Sequence, residues 1–171
     1  MPHEPAGIYF RFMEKIIRGI VSGAIATLPM TWTMLRIHRE EPREWFKALP
    51  PRLITLRLAK RLGFGKHLDA DEKAGLVWAS HIGYGASMGA LFALLSGRRS
   101  SRLSGFSGPL FGLAVWAASY MGVMPALKLH RSARRDANSR NRLMVISHLV
   151  WGLCMSVAFR CLGRATGSRW A

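Results

Sequence analysis

The sequence predicts an all-α, polytopic membrane protein. It reads as four transmembrane helices, arranged as two hairpins in the same orientation (a parallel repeat), with an amphipathic interfacial helix in the first loop. Three observations predict this. Four runs, 19–35, 74–97, 103–127 and 143–159, contain no Asp, Glu, Lys or Arg, and each is about as long as a helix needs to cross a hydrocarbon core, roughly 17 to 25 residues. Lys and Arg outnumber Asp and Glu 25 to 9, for a net charge of +16, and these cations flank the runs. Two of the runs carry the same hexapeptide pattern, "SHIGYG" and "SHLVWG".

So large a basic excess in a soluble chain suggests a nucleic-acid partner. Its distribution here excludes that reading, because cations that border apolar runs face lipid head groups. The expected partners are the bilayer itself and anionic lipids. The whole chain reads as one integral membrane domain.

The first helix is expected at about 17–37. Gly19 and Gly23 form a GxxxG spacing, which lets helix backbones approach closely in lipid. A secretory leader cut near "AIA" is the alternative, but the apolar run continues through "TLPMTWTML", which favours a retained helix. Pro29 should kink it or free a carbonyl, with Thr27, Thr31 and Thr33 placed to re-satisfy the backbone. The run ends in "LRIHR". A helix at about 51–63 follows, begun by Pro50 and Pro51 and ended near Gly63 and Gly65. Ile54, Leu58, Ala59 and Leu62 share one of its faces, and Arg57, Lys60 and Arg61 the other. Two readings stay open for it: an interfacial helix holding cations toward phosphates, or a helix that closes the mouth of its own bundle.

The second transmembrane helix is expected at about 72–96, opened by Asp69 and Glu72 at capping-box spacing. The third, at about 103–127, repeats the GxxxG spacing with Gly108 and Gly112, carries Pro125, and reaches "LKLHR", matching the exit of the first. The fourth is expected at about 142–162. Its Cys154 and Cys161, seven residues apart, lie about 10 Å apart along the axis and cannot bridge within an intact helix. GxxxG helix, LxLHR exit, basic loop and Ser-His helix thus occur in the same order twice, which implies a pseudo-twofold axis along the membrane normal. The side bearing the His-containing loops is the more basic, so it is expected in the cytoplasm.

Any activity would use few residues. His81 and His148 sit at similar depth inside their runs, where an ionisable group suggests a functional site. Ser80, Ser147 and Tyr84 lie beside them. Neutral imidazoles there can pass a proton, bind a small solute, ligate haem iron as a bis-His pair, or only hydrogen-bond between helices. No metal site is expected, since no Cys/His zinc spacing occurs. His38 and His130 close their helices within basic clusters and, with Arg57, Lys60 and Arg61, form the candidate lipid- or partner-binding set. No nucleophile motif, phosphate-binding glycine loop or intramembrane carboxylate pair appears, so the chain is not expected to be an enzyme. No cofactor is expected outside the haem alternative.

The segments "GIVSGAIATLPM", "ALPPRLIT", "SHIGYGASMGALFALL" and "SGPLFGLAVWAASYMGVMPAL" resemble small bacterial inner-membrane proteins of the YagU-like family. The resemblance implies an integral inner-membrane protein and brings no catalytic residues. The repeated Ser-His pair at matching depth makes passage or binding of a small solute or proton at the His pair one expectation. A second is an accessory or scaffold subunit whose GxxxG faces and basic amphipathic helix dock a protein partner, a second copy or anionic lipid, and a third is a bis-His haem-binding electron-transfer subunit.

Overall fold

A computed structural model describes residues 5–39, 48–96, 106–129, 133 and 138–165, and every regular element among them is helical. Five helices carry the fold: α1 (Pro5–Arg39), α2 (Pro50–Arg61), α3 (Ala70–Leu95), α4 (Ser107–Ala117) and α6 (Asn138–Ala165). Between α4 and α6, a π-helical segment at Ala118–Val123 leads into the single turn α5 (Met124–Ala126). Three helices, Tyr9–Arg39, Ser107–Ala126 and Asn138–Ala165, are long and apolar enough to cross a membrane. Ser80, His81, Gly83, Tyr84, Gly85, Ser87 and Gly89 dilute the apolar character of α3.

The bundle is apolar outside and polar at several points inside. Ile25, Leu28, Trp32, Leu94, Leu110 and Leu153 are exposed, while Ser22, Thr27, Ser119, Ser147, His148 and Ser156 are buried. Water would penalise the exposed surface at about 25 cal/mol per Å², whereas lipid does not. Neighbouring helices run antiparallel, and glycine sets two of the seams. A Cβ on Gly19 or Gly23 would run into the backbone of Gly89 and Gly85 on α3; one on Gly108 or Gly112 would run into Gly152 and His148 on α6. The GxxxG faces are therefore occupied within the chain, so docking through them would require the bundle to open.

α1 also packs along α6, but α3 and α4 have no matching backbone seam. They meet through long side chains, Phe92 against Phe111 at 5.3 Å between ring centroids and Tyr84 bonded to Ser119 at 2.7 Å. A strict twofold would make the α1–α6 and α3–α4 seams alike. The packing departs from it, and the gap falls between α3 and α4.

Several boundaries differ from those expected. α1 starts at Pro5 rather than near 17. Glu14, Lys15 and Arg18 end the apolar run in sequence but do not end the helix: Lys15 Nζ donates to the Ser96 carbonyl, and the buried Arg18 guanidinium lies 4.4 Å from the Phe159 ring centroid. α2 and α3 fall close to expectation, and the Asp69–Glu72 capping box is complete, with both bonds 2.8 Å. The helix expected at about 103–127 ends at Ala126, so Leu127, Lys128 and Leu129 leave it as a turn with Lys128 at φ 52°. Leu103 and His130 lie outside the described residues. The threonines near Pro29 each donate to the carbonyl four residues back, Gly23, Thr27 and Pro29. None of these is Ile25, whose carbonyl the missing Pro29 N–H leaves without its helical donor.

Candidate functional site

The gap between α3 and α4 opens into a partly open cavity of about 120 Å³, lined by every helix, at the α2 end of the bundle. α1 contributes Thr27 and Met30, α3 contributes Ser80, His81, Tyr84 and Met88, and α6 contributes Met144, His148 and Trp151. Val115, Ser119, Tyr120 and Met124 line it from the helix at Ser107–Ala126, and Pro51, Ile54 and Thr55 of α2 line it beside its mouth. The π-helical turn helps shape it. Widening the helix at Ala118–Val123 puts Ser119 and Tyr120 side by side facing inward, both buried. It also relieves the clash that Pro125 would otherwise make with the turn before it.

His148 is buried, and its Nδ1 lies 2.7 Å from the Met144 carbonyl. A carbonyl only accepts, so Nδ1 carries the proton and a neutral ring keeps its lone pair on Nε2. The Tyr120 ring meets that imidazole edge-on at 6.0 Å. His81 Nδ1 lies 3.4 Å from Thr31 Oγ1. The Thr31 hydroxyl already donates to the Thr27 carbonyl at 2.8 Å, so towards His81 it accepts, and His81 likewise keeps its lone pair on Nε2. Beyond the cavity aromatic rings pack across the bundle: Phe111 stands 6.1 Å from Trp151, and Phe92 stands 5.7 Å from Phe159.

Four of the five expected site residues thus come together. Ser147 does not: it is fully buried and donates to the Leu143 carbonyl at 2.8 Å, away from the cavity. Ser80 stands at the lip, 2.6 Å from Thr55 of α2. The two serines of the repeated hexapeptide therefore do different work: the first bonds the loop helix α2 and the second bonds its own helix.

The expected lipid- or partner-binding residues separate. Arg57 Nη1 donates to the Leu129 carbonyl at 2.7 Å, and Arg61 donates to the carbonyls of Leu127 and Lys128. Both cations hold the turn after α5, as suits a helix that closes its own bundle. Lys60 is exposed, His38 is half-buried at the end of α1, and His130 lies outside the described residues. The apolar face expected on α2 divides too: Ala59 is buried and Ile54 packs on the core, but Leu58 and Leu62 are exposed.

Met30, Met88, Met124 and Met144 were not among the expected site residues. The signal was available, since Met88 follows His81 by seven residues and Met144 precedes His148 by four, spacings that share a helix face. Among the described residues, no three His, Cys, Asp or Glu side chains come together as a metal-binding group. The cavity is also small beside the roughly 300–1,000 Å³ of sites for drug-sized ligands, so a bis-His haem would require the helices to separate. Comparison with family models, curated proteins and solved structures finds no match for this chain.

Proposed function

We propose that this chain is a non-enzymatic integral membrane protein, spanning the bilayer four times, that binds a small solute or proton at the His81–His148 cavity and passes it on. The observation that carries the reading is that two imidazoles from different helices line one cavity inside a lipid-facing bundle. α3 is the fourth span: its 26 residues extend about 39 Å at 1.5 Å each, and its glycines match those of α1. The two hairpins, α1 with α3 and the third span with α6, descend from one unit. Support comes from the partners of the two histidines. Thr31 and Tyr120 each lie twelve residues after the first glycine of their GxxxG pair, and each contacts the histidine of its own hairpin.

The aromatic packing behind Trp151 makes the cavity a binding chamber facing the α2 side, and passage requires that packing to move. The cavity faces the cytoplasm of a bacterial inner membrane, in keeping with the more basic loops on that side and with the YagU-like resemblance. The test is the double variant His81→Leu/His148→Leu, compared with the parent for proton and small-solute flux in liposomes. Flux above protein-free vesicles should be lost while the helical content stays unchanged. Equal flux in parent and variant, whether present or absent, would remove the reading.

A further inference from the structure

The cavity's chemistry identifies a narrower class of ligand. Most of its polar groups are already committed to protein partners: Thr27 Oγ1 to the Gly23 carbonyl, Thr55 to Ser80, Tyr84 to Ser119, and Trp151 Nε1 to the Gly23 carbonyl at 3.1 Å. Both histidines spend Nδ1 on the helix framework and keep Nε2 as a lone-pair donor. The other uncommitted donors belong to methionines, four of which line this one small space, one from α1, one from α3, one from α5 and one from α6. Among the described residues the lining contains no carboxylate, thiol, ammonium or guanidinium group.

We infer that the cavity binds a soft monovalent metal ion, Cu(I), held by up to four donors drawn from the thioethers of Met30, Met88, Met124 and Met144 and Nε2 of His81 and His148. Thioether and imidazole suit Cu(I), whereas hard divalent ions prefer carboxylate, carbonyl and water. Charge points the same way. The cost of taking an ion out of water rises with the square of its charge, and no anionic ligand is present to compensate a divalent ion. Structural zinc takes thiolate, imidazole or carboxylate, so two imidazoles among thioethers make a poor zinc site. The methionines come from four separate elements and are flexible, which lets the donors close around an ion without a preformed rigid cage. The inference rests on the cavity being a ligand site, and it does not require passage.

The test uses the full chain, tag removed, in mild detergent and on a Cys154→Ser/Cys161→Ser background, so that thiols cannot contribute. Silver ion serves as a redox-inert probe by calorimetry, and Cu(I) is supplied anaerobically from a chromophoric chelator. One ion should bind per chain, without displacement by excess Zn²⁺ or Mg²⁺. X-ray absorption of the Cu(I)-loaded protein should show sulfur in the first coordination sphere, a readout that needs no substitution in the cavity. Met88→Leu/Met124→Leu keeps the volume and should weaken binding at least about tenfold, since loss of even outer-shell support commonly costs that much. Met121→Leu, at an exposed position outside the cavity, should leave affinity unchanged. Failure of Ag⁺ and Cu(I) to bind, a first sphere without sulfur, or equal affinity in the paired variant would overturn the inference. His-dependent proton flux in a chain that binds neither ion would overturn it while leaving the broader function standing. Methionine-dependent binding without flux would support it and remove passage.

Discussion

At the scale of single residues, the bundle depends on side chains that are missing. Gly152 sits where a Cβ would collide with the Gly108 backbone, and Gly85 where it would meet Thr27 and the Gly23 carbonyl. Neighbouring backbone cannot yield as a flexible side chain does, so helices α4 and α6 would have to separate. Gly152→Val is therefore expected to cost about 3 kcal/mol or more, seen as a large fall in the detergent unfolding temperature. Gly83→Val, with open space around its Cβ position, should change that temperature little. If the two variants behave alike, the close approach of the helices is not what holds the seam. The glycines were legible in the sequence because GxxxG reports a demand for close approach wherever it occurs in an apolar helix. Their partners were not legible, since the spacing does not say whether the approaching helix belongs to the same chain. The same gap hid the methionines: at helical spacing they read as ordinary core, and only the helix arrangement brings four of them to one space.

At the scale of elements, local signals were read well where they act locally and poorly where tertiary packing overrides them. The Asp69–Glu72 cap and the limits of α2 depend on a few neighbouring residues, and both appear close to where the sequence puts them. The early start of α1 could not be read, because it depends on Arg18 finding the Phe159 ring and Gly163 far along the chain. The π-helical turn left only Pro125 as a hint. α2 shows how a cationic stripe misleads: of Arg57, Lys60 and Arg61, the two arginines are tied to the turn after α5, at carbonyls in a turn with a non-glycine residue at positive φ. Together these bonds pin α2 over the cavity mouth. Because both arginines are exposed, the contribution of each is held to about 1 kcal/mol or less. Arg57→Met/Arg61→Met should accordingly leave global unfolding nearly unchanged while local opening increases. Hydrogen exchange should rise by roughly tenfold in 50–61 and 127–129, the change that about 1.4 kcal/mol of lost local protection gives, and stay constant in α6. Uniform acceleration along the chain would mean that the arginines support the bundle and not the lid.

At the scale of the molecule, the distribution of polarity fixes the solvent, and topology is what remains to be measured. Three helices qualify as spans by length and hydropathy. α3, lined with serine, glycine and histidine on its inner side, resembles them in packing more than in composition. Its polar residues have ordinary reasons to be there: Gly85 and Gly89 meet α1, Tyr84 bridges to Ser119, and Ser80 bonds α2. Its outward residues are mixed: Trp78, Leu91, Leu94 and Leu95 are exposed, and so are Ser80, Tyr84 and Ser87. Its mean hydropathy also counts Gly85 and Gly89, which are buried against α1 and meet no lipid. The antiparallel order α1, α3, α4, α6 then places the start of α1 and the end of α6 on one side of the membrane and the α2 region on the other. Single cysteines at Gly7, Lys66 and Arg164, on the Cys154→Ser/Cys161→Ser background, test this with a membrane-impermeant maleimide on oriented vesicles. Gly7→Cys and Arg164→Cys should label from the same side, and Lys66→Cys only from the opposite side. A three-span chain, with α3 lying on the surface, would put the first two on opposite sides. The His-lined cavity would then sit beside a helix exposed to water, and its case as an intramembrane binding chamber would fail with the topology.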